Sequence, residues 1–482
     1  MIGEYAVFTL DSDASDNGIR YLNWLRILAP NHGSVRRVLF CAIHSRRGHK
    51  AAVEMVRCFK QSGSETDASD SFLSEAAQFE RASFPFTAPT QPSSFDMAGQ
   101  WRRIFGADSF IGQRGGARSL RALEVYNGEL YCGFSDNQAA KHFVRKWDGE
   151  KWSLIADEHT WRELGFSGAN TVGAFCSMNG KLYATVSAQK IGPLRGEVFS
   201  YDGTSWENVS QGLRKWPQLG ERALNAMIVH EDRLYVGGYV GRSRQEPLSI
   251  YCCDGDTWER EVLQASSLGV KFTASEVYEF AQYDGALYAA TSGFDFGSGT
   301  VWRLTESGWE VVGGFGLRNS WGGKATKYIE AFAVYQGKLI VSFGPANETF
   351  RLFEILPAIW MFDGDRWEPL IAREDSGVMV RSTNYNHLFV RHDRLLAATG
   401  SSQPRSFPPQ VAIWELDVAR REWKRRAGAG MSGSWSNTSL ETQNDRNSVW
   451  VYRMIEYQDD LYATISFGNG GGAAELWCYG RS

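Results

Sequence analysis

What this 482-residue chain has little of narrows its function before any motif is found. No run approaches the ~18 apolar residues that a membrane-crossing helix needs, so no membrane partner is expected. The opening residues, MIGEYAVFTLDSD, have neither the basic start nor the apolar stretch of a secretory leader, and a cytoplasmic location is the expectation. A surplus of cations is missing too: 51 Lys and Arg stand against 55 Asp and Glu, a net charge of −4. Nucleic-acid binding needs clustered cations facing phosphates, so that partner is not expected either. The cysteines number seven, an odd count without metal-ligand spacing. Cys252 and Cys253 are adjacent, while Cys41, Cys58, Cys132, Cys176 and Cys478 lie scattered in apolar runs, which reads as buried free thiols in a reducing compartment. Eight histidines form no HExxH, and there is no GxSxG and no phosphate-binding loop. No cofactor and no metal are expected.

What is present is a repeat. In residues 171–210, Asn179-Gly180 and Asp202-Gly203 each sit between apolar runs, the mark of tight two-residue hairpins. The stretch reads as four short strands, a to d. Aligning its first turn finds Gly128, Gly180, Asp232, Gly285, Gly337, Asp393 and Asp459. Two residues on, every copy has leucine (Leu130, Leu182, Leu234, Leu287, Leu339, Leu395, Leu461), and Tyr131, Tyr183, Tyr235, Tyr288 and Tyr462 follow. Strand d opens on Trp152, Trp206, Trp258, Trp309, Trp367 and Trp423. The ~50-residue period is that of propeller blades. Blades are expected at 120–155, 172–210, 224–262, 277–312, 329–371, 386–427 and 451–479. The last copy lacks strand d, and Trp101, 51 residues before Trp152, supplies it. Residues 99–105 are therefore expected to pair with the C-terminal strands, which removes the free sheet edge.

The repeat resembles the kelch-type propeller, the fold of the galactose oxidase central domain. The aromatic residue seven positions before the strand-d tryptophan carries the likeness, in Phe199/Trp206, Tyr251/Trp258, Trp302/Trp309 and Trp360/Trp367. The resemblance implies an all-β, seven-bladed propeller of four-stranded antiparallel blades over residues 99–482. It implies nothing about activity, since propellers host many functions. The family's glycine pair after strand b stands here once, as Gly237-Gly238, and no copper site with a crosslinked tyrosine and cysteine can be placed.

Residues 1–98 fall outside the repeat and are expected to be partly helical or disordered, ending in a linker. Residues 19–28 have helical spacing, 38–43 read as a strand, and 50–61 as a helix. The stretch RVLFCAIHSRRGHKAAVEMVRCFKQSG looks like the opening of sugar-nucleotide glycosyltransferases, but nothing after it continues that fold, and its cations read as a solvated face. Residues 62–91 have linker chemistry, and Met97 is a candidate true start, in which case the residues before it would be poorly packed.

Two groups of residues are candidate ligand contacts. The b–c and d–a connections are long and share one face, where binding concentrates on a rigid scaffold. The d–a connections repeat an aromatic beside a cation or amide, in Trp161 with Arg162, Arg214 with Trp216, Arg318 with Trp321, and Trp435. Exposed, such pairs suit a sugar ring or an anion. The second group is a strand-a column of Arg121, Gly173, Asn225, Tyr278, Glu330, Asn386 and Tyr452, expected to ring the channel mouth above apolar Leu123, Phe175, Met227, Phe280, Phe332, Leu388 and Met454. The leading expectation is a monomeric propeller binding a protein or glycan through its loop-rich face. The alternative is a carbohydrate-active enzyme, lyase or hydrolase, using Glu330 with Tyr278, Arg121 or His387 at the channel mouth.

Overall fold

The computed structural model describes residues 26–28, 37–39, 86–91, 93, 95, 99–106, 119–135, 143–169, 171–188, 195–210, 222–240, 248–263, 274–293, 299–314, 316–323, 328–344, 359–370, 373–374, 383–401, 411–428, 431–435, 449–467 and 474–481. Two units are distinct, one holding residues 1–84 and 346–356, the other 85–345 and 357–482. In the first, Arg26–Leu28 pairs antiparallel with Arg37–Leu39. The end of the helically spaced stretch is thus strand, its backbone paired with residues 37–39 instead of closing helical turns. The expected helix at 50–61 lies outside the described residues.

The second unit is a β-propeller. Its strands form successive four-stranded antiparallel meanders spanning 119–156, 171–208, 222–262, 276–313, 329–369 and 383–427. A last one combines Val449–Tyr457, Asp460–Phe467 and Glu475–Arg481 with Gly99–Phe105 from upstream. That closing strand pairs in the expected place, Trp101 opposite Tyr479. The inner strands Ser119–Tyr126, Thr171–Met178, Arg222–His230, Glu276–Tyr283, Ile329–Tyr335, Thr383–Arg391 and Val449–Tyr457 each contact the next, and the last contacts the first, around a central channel.

The aligned turns all have two residues at positive φ, from Asn127-Gly128 to Gln458-Asp459, as two-residue hairpins between right-twisted strands require. One c–d turn is a two-residue hairpin, between Thr305 and Gly308, but most differ from expectation. Tyr201 pairs with Trp206, so residues 202–205 form a four-residue loop. Asp202 Oδ1 accepts the N–H groups of Thr204 and Ser205 at 2.7 and 2.8 Å, and Asp148, Asp254 and Asp363 repeat the arrangement. The aspartate, by capping its own turn, stabilises a longer loop than Asp-Gly alone predicts.

Neighbouring blades are joined by two repeated hydrogen-bond devices. The first uses a serine at the end of strand b, whose hydroxyl accepts the N–H and donates to the C=O of one residue at the start of the next inner strand. Ser135 holds Val172, Ser187 holds Leu224 and Ser292 holds Ile329, each 37 residues on. Ser466 holds Leu120 the same way across the ring closure, at 2.9 Å from the N–H and 3.4 Å from the C=O. At two junctions without the serine the strands bridge directly, Tyr239 to Glu276 and Gly400 to Trp450. The second device is the strand-d tryptophan. The indoles of Trp152, Trp206, Trp258 and Trp367 donate to the carbonyls of Ile104, Ile155, Val209 and Val312 in the preceding blade.

Packed chain also extends upstream of residue 99. Phe86 lies 4.8 Å from the ring of Tyr335, and Thr87 and Gln336 exchange hydrogen bonds of 2.7 and 2.8 Å. Ser93 is fully buried against Glu415, and Phe95 packs on Tyr479 and Trp101. The poor packing expected before Met97 is not found over the described residues 86–95, because their aromatic and polar groups have partners on three blades. Among the described residues no helix is long and apolar enough to cross a membrane. Cys132, Cys176, Cys252, Cys253 and Cys478 are free, and burial pushes each thiol up; Cys41 and Cys58 lie outside the described residues.

Removing a latch leaves a buried N–H and C=O unpaired, which costs about 1–3 kcal/mol. Ser466→Ala, at the closure, is expected to lower the urea unfolding free energy by about that amount, as Ser187→Ala does within the ring. Unchanged stability of Ser466→Ala would show that closure does not use the latch.

Candidate functional site

The inner strands do more than line the channel. Each loses register with its strand b near its start, between Leu120 and Ala122, Val172 and Phe175, Leu224 and Ala226, Val277 and Glu279, Ile329 and Ala331, Tyr385 and His387, and Val451 and Met454. The residues left without a ladder partner include the polar column, Arg121, Gly173, Asn225, Tyr278, Glu330, Asn386 and Tyr452, with Ala174 beside Gly173 and Arg453 beside Tyr452. A β-bulge bends the strand and re-aims the extra side chain. Here it aims them at one place. Arg121, Gly173, Asn225, Glu276, Tyr278, Glu330, Tyr452 and Arg453 line a cavity of about 40 Å³. Asn386 shares the bulge position, and its side chain is outside the described set.

Neighbouring side chains hold each other in place. The Arg121 guanidinium lies 5.1 Å from the ring centre of Tyr452, with Nη2 3.5 Å from its hydroxyl, and Nε donates to Ser119 Oγ at 3.2 Å. Asn225 Nδ2 donates to Glu276 Oε1 at 2.7 Å, and the Tyr278 hydroxyl is hydrogen-bonded to Glu330. Gly173 has no side chain to offer, since a Cβ there would meet Leu224 O at 2.5 Å. Gly344 leaves the space that the Glu330 carboxyl occupies. Beneath, Arg453 forms an ion pair with Glu279, whose other oxygen accepts the Phe332 N–H at 2.8 Å. Glu279 and Arg453 lie on inner strands that are not neighbours in the ring, so the pair crosses the channel. Arg453 also approaches His387 Nδ1 at 3.3 Å. Phe175, Phe280, Phe332, Leu388 and Met454 are buried below, as expected of the apolar layer.

Burial sets the protonation of this site. It pushes Glu330 up to about 7 against the opposing Tyr278 hydrogen bond, with the Glu276 and Glu279 charges adding to the rise. It raises Glu276 and, well above its ordinary value, Tyr278. Arg121 is raised, first by Tyr452. His387 is lowered to about 3 by burial and then by Arg453, so it is neutral and packed rather than an acid–base group facing the cavity.

The d–a tryptophans are not exposed platforms. Trp161, Trp321 and Trp435 are 0, 1 and 3% exposed. Each fills the same slot against the strand-c and strand-d aromatics of the next blade. Trp161, in the short helix Glu158–Glu163 capped by Asp157, packs on Phe199 and Trp206. Trp321 packs on Trp360 and Trp367, and Trp435 on Trp477 and the closing Trp101. Burial removes the free ring face that stacking on a sugar needs. Arg162 pairs with Glu158 on the surface, and Arg318 caps Gly364 O over Phe362, so neither reaches the cavity. Arg214 and Trp216 lie outside the described residues. Sequence reasoning missed Glu276 and Arg453, which flank bulged positions of the column and differ from it by one or two places.

Among the described residues no group of His, Cys, Asp and Glu is arranged to hold a metal ion. No known family and no curated protein matches the chain. Among solved structures it is similar to YCF48 from Cyanidioschyzon merolae, at 10% identity over 78% of this chain and 98% of that one, TM-score 0.45. It is similar to an ulvan lyase of a new polysaccharide lyase family, at 10% identity over 78% and 95%, TM-score 0.47. It is also similar to the phage phi92 endosialidase, at 12% identity over 79% and 68%, TM-score 0.43.

Two outcomes follow. Trp321→Ala empties a fully buried slot and is expected to cost about 3–5 kcal/mol in chemical unfolding, whereas a ligand-stacking tryptophan would cost little. Glu330 has its folded pKa raised above its unfolded value, so its neutral form is favoured by folding. Its contribution to stability is complete below the unfolded pKa near 4.5 and is lost as pH rises through about 7. Glu330→Gln should therefore gain on wild type, on the order of 2–3 kcal/mol, as pH rises from about 5 to 8, read from unfolding midpoints. A constant difference across that window would place the carboxyl in water.

Proposed function

We propose that this chain is a kelch-type, seven-bladed binding propeller that captures one end of a glycan at its channel mouth. The observation that carries the reading is the bulge repeated in the inner strands, which converges Arg121, Asn225, Tyr278, Glu330 and Tyr452 on one cavity. Planar groups that donate and accept side by side, with aromatic rings between them, suit a polyhydroxylated ligand. A cavity of about 40 Å³ accepts a terminal group and not a chain threading the ring. A protein partner held without such an anchor needs a broad face, on the order of 1,000 Å² or more in total.

One observation favours a carbohydrate-active enzyme as the second reading. Glu330 and Glu276 share the cavity, and a carboxyl held up to about 7 exchanges its proton near neutrality, as acid–base catalysis requires.

The test is calorimetric binding to a panel of neutral, amino and uronate oligosaccharides. Asn225→Ala and Arg121→Ala are expected to weaken the bound member roughly tenfold or more, the loss of a hydrogen bond to a charged or buried group. Thermal midpoints should stay within a few degrees. New reducing ends or ultraviolet-absorbing unsaturated ends formed by wild type, and lost in Glu330→Gln, would move the assignment to the enzyme. No binding across the panel overturns the glycan reading.

A further inference from the structure

The chemistry of the channel mouth is not balanced, and the imbalance points to a kind of ligand. Of its two guanidinium groups, Arg453 is matched by Glu279 across the channel, and Arg121 hydrogen-bonds neutral Tyr452 and Ser119 while its charge acts on Glu276 and Glu330 through space, so two cations stand against the three carboxyls of Glu276, Glu279 and Glu330. Glu276 and Glu330 form no ion pair among the described residues. Their hydrogen bonds come from the neutral groups of Asn225 and Tyr278. Asn225 adds an independent sign. Its amide nitrogen is used on Glu276, while its Oδ1 is buried with no hydrogen-bond partner. A buried acceptor left unmade costs about 1–3 kcal/mol, so the site lacks a donor. A second carboxyl oxygen on each glutamate and the orphaned amide oxygen thus leave acceptors in excess at one cavity. A hydroxyl would satisfy one of them and leave the surplus carboxyl without a cation. A compact group with three donors and a positive charge satisfies both needs.

We propose that the channel mouth recognises a primary ammonium, held between Asn225 Oδ1 and the carboxyl groups of Glu276 and Glu330. On the glycan reading, which this inference deepens, the ligand class is an amino sugar with its nitrogen unacylated. Arg121 and the Tyr278 and Tyr452 rings then serve the hydroxyl groups and the sugar face beside the nitrogen. The small volume suits the choice, since the ammonium is the least bulky head group carrying a charge. An acetylated nitrogen brings an extra carbonyl and methyl, one donor and no charge, and a uronate brings a second anion to a site that already holds two carboxyls.

The experiment compares wild-type binding of four probes at near-neutral pH: a glucosamine tetramer, its N-acetylated counterpart, a hexuronate tetramer and butylammonium. The glucosamine tetramer is expected to bind at least tenfold tighter than the acetylated one, the worth of one charge-assisted hydrogen bond. Glu330→Gln and Asn225→Leu should bring that ratio below about threefold. Because either variant could disturb packing, thermal midpoints are read beside the ratio, and a preference that persists in a variant folded as stably as wild type overturns the inference. Equal affinity for the acetylated tetramer, or preference for the uronate, overturns the ammonium inference and leaves the glycan reading standing. Binding of butylammonium without any tetramer supports the inference and overturns the glycan reading. No binding of any probe overturns both.

Discussion

Every blade of this propeller is a four-stranded sheet whose faces must be covered by its neighbours, and at four junctions the contact that fixes one blade to the next is a single hydroxyl. A serine at the end of strand b binds both backbone groups of one residue in the following inner strand, at Val172, Leu224, Ile329 and, across the closure, Leu120. Isolated, each such bond is worth little. Repeated around a ring, the bonds fix the rotation between sheets, and with it where each tryptophan of strand d meets the carbonyl behind it. Closure adds a strand and reuses the same parts. Ser466 acts as Ser187 does, and Trp101 receives Trp435 as Trp367 receives Trp321.

The repeat made much of this legible. Leucine and tryptophan columns at constant spacing mark strands b and d whatever the loops between them, because those positions face neighbouring blades in every copy. The missing final tryptophan pointed to Trp101, and a strand there was the one way to cover the last sheet's edge. The serine column at the end of strand b is less regular, with Tyr239, Gly344 and Gly400 standing at its other positions, and less visible, since serine is common and its role needs the partner backbone. Packing of Phe86 and Ser93 onto the blades carries no periodic signal at all. Asp-Gly suggested a two-residue turn between strands c and d, and only the side-chain hydrogen bonds of Asp202 and its equivalents show why four residues are used.

The site was legible in part, for a physical reason. Alternation along a strand identifies which residues share a face, and it correctly grouped Arg121, Asn225, Tyr278, Glu330 and Tyr452. It does not reveal a bulge, which breaks the alternation and brings Arg453, next to Tyr452, to the same cavity, while Glu276 shares the parity of Tyr278 but lies one pair outside the aligned column. The d–a tryptophans show the opposite limit. An aromatic beside Arg or Asn in a long loop has the composition of a binding site. The same composition wedges two blades together when the loop folds back over strands c and d, as Trp161, Trp321 and Trp435 do. Composition cannot separate those cases, because the difference lies in whether a buried slot exists nearby.

Closure and the channel-mouth cavity share their hydrogen bonds. Each latched residue immediately precedes a bulged one: Leu120 before Arg121, Val172 before Gly173, Leu224 before Asn225, Ile329 before Glu330. At two junctions without the serine, a direct bridge pins Glu276 two residues before Tyr278 and Trp450 two before Tyr452. A bulge is locally soft, since its extra residue has no ladder partner, and an unsupported one would let its side chain wander. Fixing both backbone groups of the residue before it removes that freedom. The arrangement of the ring is therefore also the arrangement of the site. A change in rotation between two blades moves two adjacent cavity groups relative to each other, and the Glu279–Arg453 pair ties opposite sides of the channel against such a change.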